Sequence, residues 1–142
     1  EFGPQACMIM VDARSFRDEE LFFESFAYNL TMVQEFIKRS YTEDRTMLGR
    51  SQLGQLKRDL LACNRAGITW KFLVVSIPMQ AMGFPAAQDR WYGYAAERNS
   101  LLKFIQDEGI QNVVFLSADI HATFISDVAW QPLGFIPSDP PE

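Results

Sequence analysis

The chain has 142 residues, enough for one domain with a real hydrophobic core. Its apolar share of 48% and charged share of 22% are those of an ordinary globular protein, and no apolar run is long enough to cross a bilayer. A net charge of −5 excludes a broad nucleic-acid-binding face, which needs basic residues against the phosphates, but it leaves room for a small anionic substrate.

In chain order, the continuous apolar run Ala6–Val11 predicts a short strand buried on both faces, as in a parallel sheet covered by helices. No basic segment followed by an apolar stretch precedes it, so no secretory signal is expected in these residues. Residues 12–18 are polar and irregular, which fits either a functional loop or a solvated turn. Across residues 20–40, Phe22, Phe26, Leu30, Val33 and Ile37 recur at helical spacing and predict one helix or two short ones packed on the core. The triplet Asn29-Leu30-Thr31 is a glycosylation sequon, which carries no weight without a secretory context.

After a polar connector, Ser51 is placed to cap a helix that runs to about Arg65 and stops at Gly67. Leu53, Leu56, Leu60 and Cys63 share its apolar face, and Lys57, Arg58 and Asp59 face water. The two cysteines, Cys7 in the first strand and Cys63 in this helix, do not make a disulfide framework. Buried free thiols are the expectation, with a disulfide or a metal thiolate as alternatives.

Residues 70–76 form a second apolar strand, followed by a long loop that contains Pro78, Gly83, Pro85 and Gly93. A helix is predicted over 95–108, with Leu101, Leu102 and Ile105 inward and Gly109 at its end. A third strand follows over 112–117. Strand, loop, helix and strand make a βαβ unit and therefore parallel strands, so the fold class is α/β. Loose alternation over 122–130 suggests one more strand, whereas residues 132–142 carry four prolines and read as an irregular tail. Residues 1–131 are thus expected to be the folded portion.

Asp119 and His121 directly follow the third apolar run. If the strand continues through them, its period of two points both side chains the same way, with Ile120 opposite. A carboxylate and an imidazole at the carboxyl end of a parallel strand form a ligand pair suited to Mg²⁺, Mn²⁺, Zn²⁺, Ca²⁺ or iron. His121 is the sole histidine of the chain. Taken alone the pair is a weak signal, since a histidine after a strand is often structural.

Several stretches, in order, resemble the alkaline phosphatase D family of metallophosphoesterases. Val11-Asp12-Ala13-Arg14-Ser15-Phe16-Arg17 resembles its strand followed by Asp-x-Arg-Ser-aromatic-Arg. Arg45-Thr46-Met47-Leu48-Gly49, with Gln52-Leu53 and Leu56-Lys57, resembles its Met-Leu-Gly helix entry. Trp70-Lys71 and Pro78-Met79 match the next strand and loop. Asp89-Arg90-Trp91-Tyr92-Gly93-Tyr94, with Glu97-Arg98, resembles Asp-x-Trp-x-Gly-Tyr-x-x-x-Arg. Asp119-Ile120-His121 resembles Gly-Asp-x-His, with Ala118 in the glycine's place.

The resemblance implies an αββα sandwich, of which this chain would be the C-terminal part, and a buried metal centre of iron and calcium. The activity implied is hydrolysis of phosphate mono- or diesters, outside the cytoplasm, with Asp119 and His121 as metal ligands. The family's earlier ligand motifs, bearing Asp, Cys, Tyr and Asn, have no counterpart here, and Cys7 is not assigned to them. A two-metal phosphatase centre needs about six ligands, so two confident donors make only part of one.

Arg14 and Arg17 suit either a substrate phosphate or a structural ion pair. Tyr94 is a candidate substrate contact or a loop plug, Trp91 reads as packing, and Asp127 as a surface charge. The alternative to a phosphoesterase fragment is a non-catalytic α/β interaction module, and a sheet edge left by truncation invites a homodimer.

Overall fold

The computed structural model describes residues 3, 5–21, 30–41, 44–80 and 90–130. Strand β1 (Ala6–Val11) leads through α1 (Leu30–Ser40) and α2 (Arg50–Arg65) to β2 (Trp70–Val75). A short 3-10 turn, Trp91–Tyr94, opens α3 (Ala95–Asp107), which returns to β3 (Val113–Leu116). The three strands form one parallel sheet in the order β1-β2-β3. The part of the 20–40 helix before Leu30, most of the long loop and the proline-rich tail lie outside the described residues.

Both crossover helices that pack on the sheet end by the same chemistry. At the end of α2, the Gly67 N–H donates to the Asn64 carbonyl and the Ile68 N–H to the Cys63 carbonyl. At the end of α3, Gly109 and Ile110 repeat the pattern onto Gln106 and Ile105. Both glycines take positive φ, 71° and 59°, and Ile68 and Ile110 are buried behind them. That combination is the Schellman stop, and it is why each helix turns back into a strand.

The start of α2 differs from expectation. Its N-cap is Gly49, with φ 75° and no side-chain cap, and Ser51 lies inside the first turn. Gly49 is required by space as well as by φ: an added Cβ would sit 3.1 Å from the Phe16 Cβ of the loop after β1. The helix entry is therefore fixed by close approach of that loop.

Register sorts the sheet residues onto two faces. Cys7, Ile9 and Val11 line up with Lys71, Leu73 and Val75, and these with Val113 and Phe115. This face meets α2 and α3 through Leu56, Leu60, Leu101 and Leu102 in the main core. The opposite face carries Met8, Met10, Trp70, Phe72, Val74, Val114 and Leu116. It is open: Met10 is 75% exposed and Met8 42%. The expectation that β1 is buried on both faces is thus corrected, because no layer among the described residues covers the second face. An apolar face without a cover is what half of a sandwich presents.

Two further expectations change. Cys7 and Cys63 are joined in a disulfide, with Cα atoms 6.4 Å apart, so the free-thiol reading does not hold. Cys7 sits on the covered face of β1 and Cys63 on the sheet-facing stripe of α2, so packing alone brings them to bridging distance. Residues 122–130 form no strand. Phe124 and Ile125 stay exposed, and the run instead walls a groove beside β3.

Candidate functional site

The carboxyl ends of β1 and β3 face the same side, because the sheet is parallel. At the end of β1, Asp12 folds its own turn: its Oδ1 accepts the N–H groups of Arg14 at 2.8 Å and Ser15 at 2.9 Å. These bonds, led by the Ser15 side chain, hold the Asp12 carboxyl below the usual carboxylate range. Where the ladder ends, the Gln52 amide of α2 takes its place. The Asp12 N–H donates to Gln52 Oε1 at 2.8 Å, and Gln52 Nε2 donates to the Asp12 carbonyl at 2.9 Å. Sequence reading singled out neither role; the only signal for Gln52 was its place just after Met-Leu-Gly.

This anchored turn presents Arg14. Its Nη2 lies 3.2 Å from Asp119 Oδ2, with both side chains about half exposed. Arg90 approaches from the loop before α3, its Nη2 3.4 Å from the Asp119 carbonyl. The fold therefore gathers Arg14, Arg90 and Asp119 from three chain segments onto one strand-end surface. An exposed pair of this kind adds little stability, so its interest is positional.

The geometry of Asp119 and His121 differs from the expected strand continuation. The strand stops at Leu116, and Asp119 and His121 take left-handed backbone, with φ 62° and 55°. The alternation rule therefore does not set their directions. Left-handed backbone costs a non-glycine residue about 1–2 kcal/mol, and strain of this sort concentrates at functional sites. Asn112, before β3, is the one other such residue among those described.

Tyr94 is placed in the core, fully buried, and its hydroxyl donates to the Asp18 carbonyl at 2.6 Å. Burial pushes its phenol up, so it stays a neutral donor. The Arg45 guanidinium lies 4.9 Å above its ring. Replacing Tyr94 with phenylalanine is expected to cost about 1 kcal/mol in a denaturant titration and to leave KM unchanged. A raised KM would restore Tyr94 as a substrate contact.

The first turn of α3 holds two buried charges that sequence reading had placed only as motif matches. Glu97 accepts the N–H groups of Met47 at 3.1 Å and Leu48 at 2.9 Å and the Thr46 hydroxyl, which fixes the entry to α2. Arg98 donates to the carbonyls of Met79 at 2.7 Å and Ala129 at 3.2 Å.

The sequence model of the family described as PhoD-like phosphatase matches residues 1–141. The chain belongs to the PhoD-like phosphatase family. It is 28% identical over 136 residues to a protein named alkaline phosphatase D from Bacillus subtilis (strain 168), covering 89% of this chain and 21% of that one. A solved structure titled "Structure of PhoD" superposes with a TM-score of 0.66 at 25% identity, over 84% of this chain and 22% of that one. The chain thus spans about a fifth of the length of the relatives it matches. The α/β fold with its parallel sheet agrees with that structural neighbour.

Among the described residues, no three His, Cys, Asp or Glu side chains lie close enough to hold a metal ion together. A carboxylate and an imidazole, as in Asp119 and His121, are of the residue types that ligate metal ions. The strand-end cluster of Arg14, Arg90 and Asp119 is the candidate site.

Proposed function

We propose that the chain is the C-terminal portion, over residues 1–131, of a phosphoesterase that hydrolyses phosphate mono- or diesters, and that its strand ends form one wall of the active site. The observation that carries this is the meeting of Arg14, Arg90 and Asp119 at the carboxyl ends of parallel strands, beside His121, in a PhoD-like chain. Asp119 and His121 would hold metal ions, iron and calcium on the family resemblance. When bound, such ions polarise phosphoryl oxygens and make water acidic enough to attack phosphorus.

The chain's own residues do the rest by charge. The Arg14 guanidinium, held on the Asp12 turn, is half exposed and aimed at the strand-end surface. A planar fork there suits two oxygens of a phosphate. Replacing Arg14 with methionine in the full-length protein is expected to raise KM for p-nitrophenyl phosphate about tenfold, as loss of one charge-assisted contact should. An unchanged KM would remove Arg14 from substrate binding.

The open apolar face of the sheet is the seat we assign to the remaining sheet of an αββα sandwich. The argument is length: some four-fifths of each matched relative lies outside this chain. A homodimer through the sheet edge is a separate proposal, which would leave this face uncovered, and a monomeric full-length protein in sedimentation would exclude it. We also place the protein in an oxidising compartment outside the cytoplasm, on the support of the Cys7–Cys63 bridge.

The second reading, a chain that is inert by itself, is favoured because no group of three or more potential metal ligands is found among the described residues. Appreciable turnover by the 142-residue chain with added metals would count against it.

A further inference from the structure

Arg98 lies on the first turns of α3, only 4% exposed, yet among the described residues its hydrogen bonds reach no carboxylate. Nε donates to the Met79 carbonyl at 2.7 Å and Nη2 to the Ala129 carbonyl at 3.2 Å, with Asn99 Oδ1 at 3.5 Å from Nη1. Burying a guanidinium on neutral acceptors is costly, and packing alone would be served by an apolar side chain. What an apolar residue cannot do is bridge two carbonyls that point from different directions, which the five-donor fork can.

The Met79 carbonyl belongs to the lining of a groove, and Ala129 follows directly on Val128, the last residue of that lining. The groove has a volume of about 770 Å³ and is bounded by Pro78 and Met79 after β2 on one side and by residues 122–128 on the other. Ser117 and Ile120, which bracket Asp119, lie in the same lining. The segment from Ser117 to Trp130 has no ladder bonds to hold it, since β3 ends at Leu116. Its far end is held by Arg98 and by the Trp130 indole on Gln106 Oε1 at 2.6 Å.

We infer that Arg98 is a positioning residue of the candidate site: it ties the segment carrying Asp119 and His121 to the loop after β2, and so sets where that pair stands against Arg14. The inference rests on the phosphoesterase reading for its catalytic consequence, but not for the tie itself.

The test uses the full-length protein with Arg98→Lys and Arg98→Met, and with Lys71→Met as a control. Lys71 is equally buried, at the other end of the sheet, where its Nζ donates to Asn64 Oδ1 at 2.9 Å. Amide hydrogen exchange and steady-state kinetics on p-nitrophenyl phosphate are read together. Both Arg98 variants should speed exchange over 117–130 about tenfold or more while β1 and α2 keep wild-type rates. Both should lower kcat about tenfold or more with KM within about twofold, because the walls are displaced and not the phosphate contact. Lys71→Met should do neither.

Exchange that rises uniformly, or not at all, over 117–130 in Arg98→Lys overturns the tie. Faster local exchange with wild-type kcat overturns the positioning role. Asp119→Asn is run alongside: no turnover of p-nitrophenyl phosphate by the wild type overturns the phosphoesterase reading instead, wild-type turnover in Asp119→Asn overturns the positioning role by taking Asp119 out of the site, and in either case the exchange data alone decide whether Arg98 makes the tie.

Discussion

Replacing Cys63 with serine is expected to lower the folding stability of this part of the protein by about 4 kcal/mol. The bridge joins β1 to the end of α2 across a sequence separation of 56 residues. Closing a loop of that size removes unfolded-state entropy worth roughly that amount in the chain-entropy model. Few other links tie α2 to β1: the Gln52 amide bonds to Asp12, and the apolar contacts of Leu56 and Leu60. With one sheet face open, little surplus burial stands in reserve, so the loss should show as a large shift of the urea midpoint. The same shift should follow reduction of the wild-type protein. A midpoint that is insensitive to both would mean that the bridge contributes nothing, and would remove the support it lends to an oxidising compartment.

The largest effect on activity is expected at the strand end. In the full-length protein, Asp119→Asn and His121→Ala should each reduce kcat/KM for phosphate esters by about a hundredfold or more. Loss of a residue that merely supports a metal ligand costs about 10- to 100-fold, so loss of a donor should cost at least the upper end. Asn at position 119 keeps the size and the capacity for left-handed backbone, so its defect would report the lost charge. That matters because Asp119 has two jobs to separate: its carboxylate faces Arg14, and its carbonyl faces Arg90. Asp119→Asn leaves the second intact. A variant with wild-type turnover would take Asp119 out of the machinery and leave it as a surface ion-pair partner.

Much of the scaffold was legible in the residues. Ala6–Val11 was bounded as observed, because an apolar run flanked by polar residues has few alternatives to a buried strand. Gly67 and Gly109 announced helix stops, and the structure places both in left-handed backbone with an isoleucine behind. Other features depended on contacts remote in sequence. Gly49 caps α2 because Phe16 approaches it, which no local signal near Ser51 could reveal. The Cys7–Cys63 pair needed the packing of α2 on β1 before it could be preferred over free thiols.

The open face of β1 was misjudged for a related reason. A run such as Cys-Met-Ile-Met-Val reads the same whether its second cover is present in the chain or supplied by residues elsewhere. At the candidate site, Asp119 and His121 stand out in the sequence, but their geometry does not follow from it. Asp119 and His121 are adjacent to a strand, but the strand ends earlier and strained turns carry them. The Arg14–Asp119 contact spans most of the chain and follows only from the parallel register that brings β1 and β3 to one side.

The central claim is that this chain contributes a ligand-bearing wall to a metal-dependent phosphoesterase site completed by other residues. The most direct measurement is metal content per molecule, by elemental mass spectrometry, of the full-length protein and its Asp119→Asn, His121→Ala double variant. The account predicts stoichiometric metal in the wild type and a clear loss in the variant, with the fold intact by circular dichroism. Equal metal content in the two proteins would contradict it.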